Sequence, residues 1–162
     1  MKHMLGIALA VAFLVAAALP SRVEAQMPSY GQSITLEQAR KAIAAAVAEA
    51  EKNKWPVAVA VVDTHGFLVA LEKLDDTQTA SIQIAIDKAM SSAMYRRPTK
   101  AFADALASGP GGVRILNLRG ASAIEGGLPI VVGGKVVGAV GVSGVTAEQD
   151  GQVAKAGADA LK

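Results

Sequence analysis

Beyond residue 25, His65 is the one side chain that could ligate a metal ion or haem iron through an imidazole; the second histidine, His3, lies in the N-terminal segment. It sits in "DTHG", residues 63–66, where an ordinary exposed turn residue is the plainer reading. Met90 and Met94 are four residues apart, a spacing that puts both thioethers on one helix face. They could serve as soft axial ligands or line a flat apolar cofactor, although gap-filling in a core explains them first. Tyr95 and Tyr30 offer phenolic oxygens. Arg96, Arg97 and Lys100, with Lys88 earlier on the same stretch, could pair with carboxylates of a ligand. The same cations also complement a helix C-terminus.

Other chemistries are poorly served. There is no cysteine, which excludes disulfides, Cys-ligated zinc, thiolate haem and a thiol nucleophile. The glycines of 126–144 do not form a phosphate loop. Lys135 is followed by Val136 rather than a hydroxyl residue, and Pro129 stands where the first glycine belongs. Asp63, Glu125 and Asp150 could be acid/base groups, yet nothing in the sequence spaces them together, and scattered carboxylates are usually solvated. No nucleophile-elbow pattern surrounds Ser81, Ser91, Ser92 or Ser143. Basic residues are dispersed, without the basic stripe and aromatic platforms of a nucleic-acid binder, so no nucleic-acid partner is expected.

The elements that must position these groups follow from periodicity and punctuation. Thr35 with Gln38 three residues on reads as a capping box. Leu36, Ala39, Ile43, Ala46, Val47 and Ala50 then recur at helical spacing, predicting a helix to about Asn53, before Pro56. "VAVAVVD" (57–63) and "FLVALEK" (67–73) form a hairpin across the His65 turn. A helix carrying Ala80, Ile82, Ile86, Ala89, Met90 and Ala93 ends near Arg97, because Pro98 disfavours helical geometry before it. A short helix is expected over 99–107 and a break over 108–112. Residues 113–119 are ambiguous between helix and strand, and Ala121 to Ile124 could be a short strand. Gly133-Gly134 makes the two-residue turn of a second hairpin, and a helix over 146–161 closes the chain. Two hairpins predict an antiparallel sheet with helices packed on it.

Met4 to Leu19 is an unbroken apolar run after Lys2 and His3, broken by Pro20 and followed by Val23-Glu24-Ala25. This is the pattern of a signal peptide over residues 1–25, cut before Gln26, and it predicts a periplasmic or secreted protein with no stable membrane insertion after cleavage. Without Lys2, Arg22 and Glu24, fourteen basic and thirteen acidic residues remain, a nearly neutral protein with little long-range steering of ligands. Residues 26–33 ("QMPSYGQS") read as a flexible leader, and 34–162 as one domain. Apolar residues make up 52% and aromatics 4%; so small-residued a core favours further burial in a homo-oligomer.

Three blocks in this order carry a family resemblance: "VAVAVVDTHGFLVALEKLDD" after a helix, "ASIQIAIDKAMSSAMYRRPT" at 80–99, and "GGLPIVVGGKVVGAVGVSG" at 126–144, followed by Asp150. The chain resembles the GlcG/HbpS-like family, which includes the C-terminal domain of PduO-type proteins. The resemblance implies an α+β, profilin-like fold with a central antiparallel β-sheet flanked by helices on its faces. It also implies frequent oligomerisation and, in some members, haem binding. The family pattern after the first hairpin is Arg-Met-Asp-Gly-Ala; here Lys73-Leu74-Asp75-Asp76 keeps the acidic position but not the arginine or the small pair. The expectation is an exported protein binding haem or a similar flat cofactor or small molecule, in capture, buffering or sensing. His65, Met90, Met94, Tyr95, Arg96 and Arg97 are the candidate cofactor contacts, with His65 the candidate metal ligand. With one imidazole, a haem site would be His/Met, His/Tyr, single-ligand or shared between subunits. The competing reading is a small-molecule enzyme or accessory protein acting on an organic acid or other metabolite.

Overall fold

A computed structural model describes residues 27–162; the expected signal peptide lies outside the described residues. The elements are α1 (Leu36–Asn53), β1 (Ala58–Asp63), β2 (Leu68–Lys73), α2 (Ser81–Tyr95), α3 (Lys100–Ala107), a 3-10 helix (Pro110–Asn117), β3 (Gly127–Val132), β4 (Lys135–Ser143) and α4 (Ala147–Asp159). The two hairpins join through β1 and β4 into one antiparallel sheet of order β2-β1-β4-β3. This is the expected α+β architecture.

The alternation of β1 builds three layers. Val57, Val59 and Val61 face one way, into a cluster with Ala39, Ala42, Ile43 and Ala46 of α1, Val140 and Val142 of β4, and Val153 and Ala154 of α4. Ala58 and Ala60 face the other way, against Ala85 of α2. Small side chains let α2 lie almost on the sheet backbone: a Cβ on Gly141 would stand 2.1 Å from the carbonyl oxygen of Ala85. Capping boxes start both α1 (Thr35 with Gln38) and α4 (Thr146 with Gln149).

One local expectation is overturned and three stretches are sharpened. Ala121–Ile124 is not a strand; it lies between Gly120 and Gly126, both at positive φ (73° and 126°), and pairing begins only at Gly127. The ambiguous 113–119 stretch falls largely in the 3-10 helix, which begins at Pro110 inside the expected break. Helix α2 ends at Tyr95, because Arg96 caps it in the left-handed conformation. From Ser29 the leader segment makes backbone hydrogen bonds to β4: Val136 N–H donates to Ser29 O (2.9 Å) and Gly31 N–H to Val136 O (2.8 Å). Among the described residues no helix is long and apolar enough to cross a membrane.

Candidate functional site

The β1–β2 turn presents His65. Asp63 builds the turn, its Oδ1 accepting from the backbone N–H of His65 (2.8 Å) and of Phe67 (2.9 Å). Gly66 completes it at φ 87°, a conformation suited to glycine. A Cβ there would also fall 2.9 Å from Met90 Cγ and 3.5 Å from Met94 Cγ, so the turn rests on the Met face of α2. The imidazole stands out from the turn, its side chain 72% exposed. Nδ1 shares a 3.3 Å hydrogen bond with Thr64 Oγ1, which is itself bonded to Ser33 Oγ at 2.6 Å, and the Asp63 carboxylate lies 3.8 Å away. Nε2 has no hydrogen-bond partner among the described residues. An imidazole oriented at Nδ1 by a hydroxyl and a carboxylate, with its second nitrogen free, is the donor arrangement found in metal-binding histidines.

His65 and Met94 line one open groove of about 500 Å³ with Tyr30, Gly31 and Thr64. Met94 is exposed there, and Met90 lies beneath, between the turn and Gly120. The Tyr30 hydroxyl donates to the carbonyl oxygens of Ala93 and Met94, both at 2.9 Å, so it satisfies the open end of α2 and supplies the groove with a ring wall. The Arg96 guanidinium lies over that ring, 5.2 Å from its centroid, and donates to Pro28 O at 3.2 Å.

The sequence candidates therefore divide. His65 and Met94 line the groove, Met90 lies beneath its turn, and Arg96 stands behind its Tyr30 wall. Tyr95 and Arg97 belong to a neighbouring cluster: Tyr95 packs edge-on against Phe102 (5.1 Å) and donates to Arg119 O (2.8 Å), while Arg97 lies over the Phe102 ring at 5.5 Å.

Lys88 does not join the arginines. It is 1% exposed, and its Nζ donates to Asp150 Oδ2 (2.7 Å) and Val142 O (2.9 Å). Asp150, expected among solvated carboxylates, is 2% exposed and also accepts from Val145 N–H at 3.2 Å. Burial pushes its carboxyl up, opposed by the Lys88 ammonium and by backbone N–H groups. The pair links α2 to α4, which lie on opposite faces of the sheet. Gly126 makes room for it, since a Cβ there would stand 2.8 Å from Lys88 Nζ. Asp63 and Asp150 are thus held by structural partners, and Glu125 lies near the second of them, its side chain against Gly151. Among the described residues no group of three or more His, Asp or Glu side chains converges as a metal cage.

The comparisons show a family and a fold. Residues 34–159 match the family described as "Haem degrading protein HbpS-like". Protein GlcG of Escherichia coli K12 is 41% identical over 110 residues, covering 68% of this chain and 81% of its own. The crystal structure of a Streptomyces reticuli HbpS double mutant superposes with a TM-score of 0.74 at 33% identity, covering 90% of this chain and 99% of that one. The PduOC:heme complex shares the fold, with a TM-score of 0.71 at 23% identity over 80% of this chain and 96% of that one. The chain belongs to the HbpS-like family, together with GlcG.

Proposed function

We propose that this is an exported haem-binding protein that captures, buffers or senses haem, and that the groove between the β1–β2 turn and the C-terminal end of α2 is the binding site. The observation that carries the reading is the exposed, Nδ1-oriented His65 imidazole lining the same groove as the exposed Met94 thioether. The family's description names haem as the compound its members act on. The donor set suits it: a nitrogen ligand, a soft thioether and a tyrosine ring wall, in a groove within the roughly 300–1,000 Å³ common for ligand pockets. Haem would supply an iron centre that accepts nitrogen or sulfur donors, carried on a flat apolar ring.

His65 would donate through Nε2, with Thr64 and Asp63 fixing the plane of its ring. Met94 and Met90 would give the ring a polarisable floor, and Arg96 would meet propionates at the rim. Tyr95 and Arg97 border the site from the Phe102 cluster. The groove is open, so apolar cover from a second copy of the chain would strengthen the seat, consistent with a homo-oligomer.

Titration of the purified mature protein with ferric haem should give a saturable Soret change. His65→Ala should shift that band and weaken binding at least about tenfold, as expected for loss of more than about 1.4 kcal/mol. Tyr95→Phe should leave the spectrum unchanged. Haem binding that is indifferent to His65→Ala would refute the assignment of the ligand, and absence of any saturable change would refute the function.

A further inference from the structure

A second cavity, of about 400 Å³, lies on another part of the molecule, between the start of β3, the Pro98–Lys100 turn and α4. Its wall is mostly apolar, with Pro98, Leu128, Pro129 and Val131 among the lining residues. The glycines at its base are fixed by close packing on their inner side. A Cβ on Gly127 would stand 2.3 Å from Lys88 O, and one on Gly126 2.7 Å from Val142 O. Gly151, inside α4, leaves the space into which the Glu125 side chain folds; a Cβ there would stand 2.6 Å from Glu125 Oε1. A glycine in a helix interior costs roughly 1 kcal/mol relative to alanine, and here it seats the Glu125 carboxylate against α4.

The charges at the cavity are not equivalent. Its three lysines already have carboxylate partners: Lys100 reaches Asp104 at 2.7 Å, and Lys155 and Lys162 both reach Asp159. Glu125 is half-buried and has no hydrogen-bond or ion-pair partner among the described residues. Lys100 feels the Glu125 charge but is hydrogen-bonded to Asp104, so a half-buried carboxylate with no direct ion-pair partner, set against an apolar wall, favours a ligand that brings its own cation and an apolar body.

We infer that this cavity binds organic ammonium compounds, the ammonium pairing with Glu125 and the apolar portion lying along Leu128, Pro129 and Val131. The site is separate from the His65 groove and does not depend on haem.

Hexylammonium is a suitable probe, with hexanol and hexanoate matched in length but differing in head group. In 15N-correlated NMR of the mature protein, hexylammonium should produce saturable shifts centred on the amides of Gly126, Gly127 and Gly151. Hexanol and hexanoate should bind at least tenfold more weakly. Glu125→Gln should weaken hexylammonium about tenfold or more while leaving the thermal unfolding midpoint within a few degrees, and His65→Ala should leave it unchanged. Should Glu125→Gln prove poorly folded, the head-group series on unaltered protein decides. Hexanoate binding as tightly as hexylammonium, shifts scattered away from the three glycines, or no saturable shift would each overturn the inference.

Discussion

Removing one member of the Lys88–Asp150 pair should destabilise the protein far more than removing both. The two charges are 2.7 Å apart and both are almost fully shielded from water. At an effective dielectric of about 20 their attraction is about 6 kcal/mol. Withdrawing each ion from water costs several kcal/mol, so the intact pair nets close to zero against an apolar replacement. Lys88→Met leaves the Asp150 carboxylate with only the Val145 N–H and neighbouring backbone groups, and should cost about 3–5 kcal/mol at pH 7. In a domain of this size that is a fall of roughly 10–20 °C in Tm. Lys88→Met combined with Asp150→Leu should recover most of the loss.

The pH dependence gives this cycle a second, independent sign. Burial already raises the Asp150 carboxyl, and the Lys88 ammonium is the main opposing influence. In Lys88→Met the folded-state value rises further above the unfolded value of about 3.9. A group raised in the folded state contributes stability that is complete below the unfolded pKa and lost as pH climbs through the folded one. The deficit of Lys88→Met should therefore be smallest near pH 4 and grow towards pH 8. Asp150→Asn instead strands the Lys88 ammonium, and should cost a similar amount at pH 7. Urea unfolding of the three variants at pH 4.5, 7 and 9 tests both claims. Single-variant losses below about 1 kcal/mol, or a Lys88→Met deficit that does not grow from pH 4.5 to pH 9, would refute the argument.

Other outcomes follow from local geometry. Thr77 is buried with its hydroxyl unpartnered, at the position where the family pattern carries alanine, so Thr77→Val should stabilise by about 1 kcal/mol in urea unfolding. Gly141→Ala would drive a Cβ to 2.1 Å from Ala85 O and 2.5 Å from Ala89 N; it should lower stability by about 3 kcal/mol and loosen α2 from the sheet, seen as faster amide exchange along α2. N-terminal sequencing of the exported protein should begin at Gln26 or within a few residues; soluble envelope protein starting at Met1 would count against processing.

Where the sequence was legible, a local signal and a tertiary demand coincided. Thr35 and Gln38 cap α1 because their spacing is all a capping box requires. Gly133 and Gly134 adopt φ of 55° and 75°, the pair of positive values a two-residue hairpin turn needs, and the β3–β4 hairpin follows. The Val and Ala alternation of β1 marks two buried faces of different depth. The strand expected at Ala121–Ile124 failed for a local reason as well: glycines in unusual conformations stand at or just beyond both ends of it.

The candidate site was only half legible, because its logic is long-range. Thr64, His65 and Gly66 are consecutive, but what makes the imidazole more than a turn residue is Ser33, thirty-one positions from Thr64, and Met94 across the groove. Tyr95 and Arg96 are adjacent in the sequence, yet the left-handed cap at Arg96 turns the chain at the end of α2 and sends their side chains to different partners, Phe102 and Tyr30. Lys88 shows the same limit from the other side. Its helix position next to Ala89 marks a buried face, and burial of a lysine demands a counter-charge. The adjacent Asp87 accepts from the Gln83 side chain at 2.8 Å instead, so the partner had to come from elsewhere in the chain. Asp150, sixty-two residues on, could be picked out only once Gly126 was seen to leave a passage between the two helix layers. Glycines that permit such passages carry no periodicity, and for that reason the polar interior of this fold is written in its backbone contacts more than in its motifs.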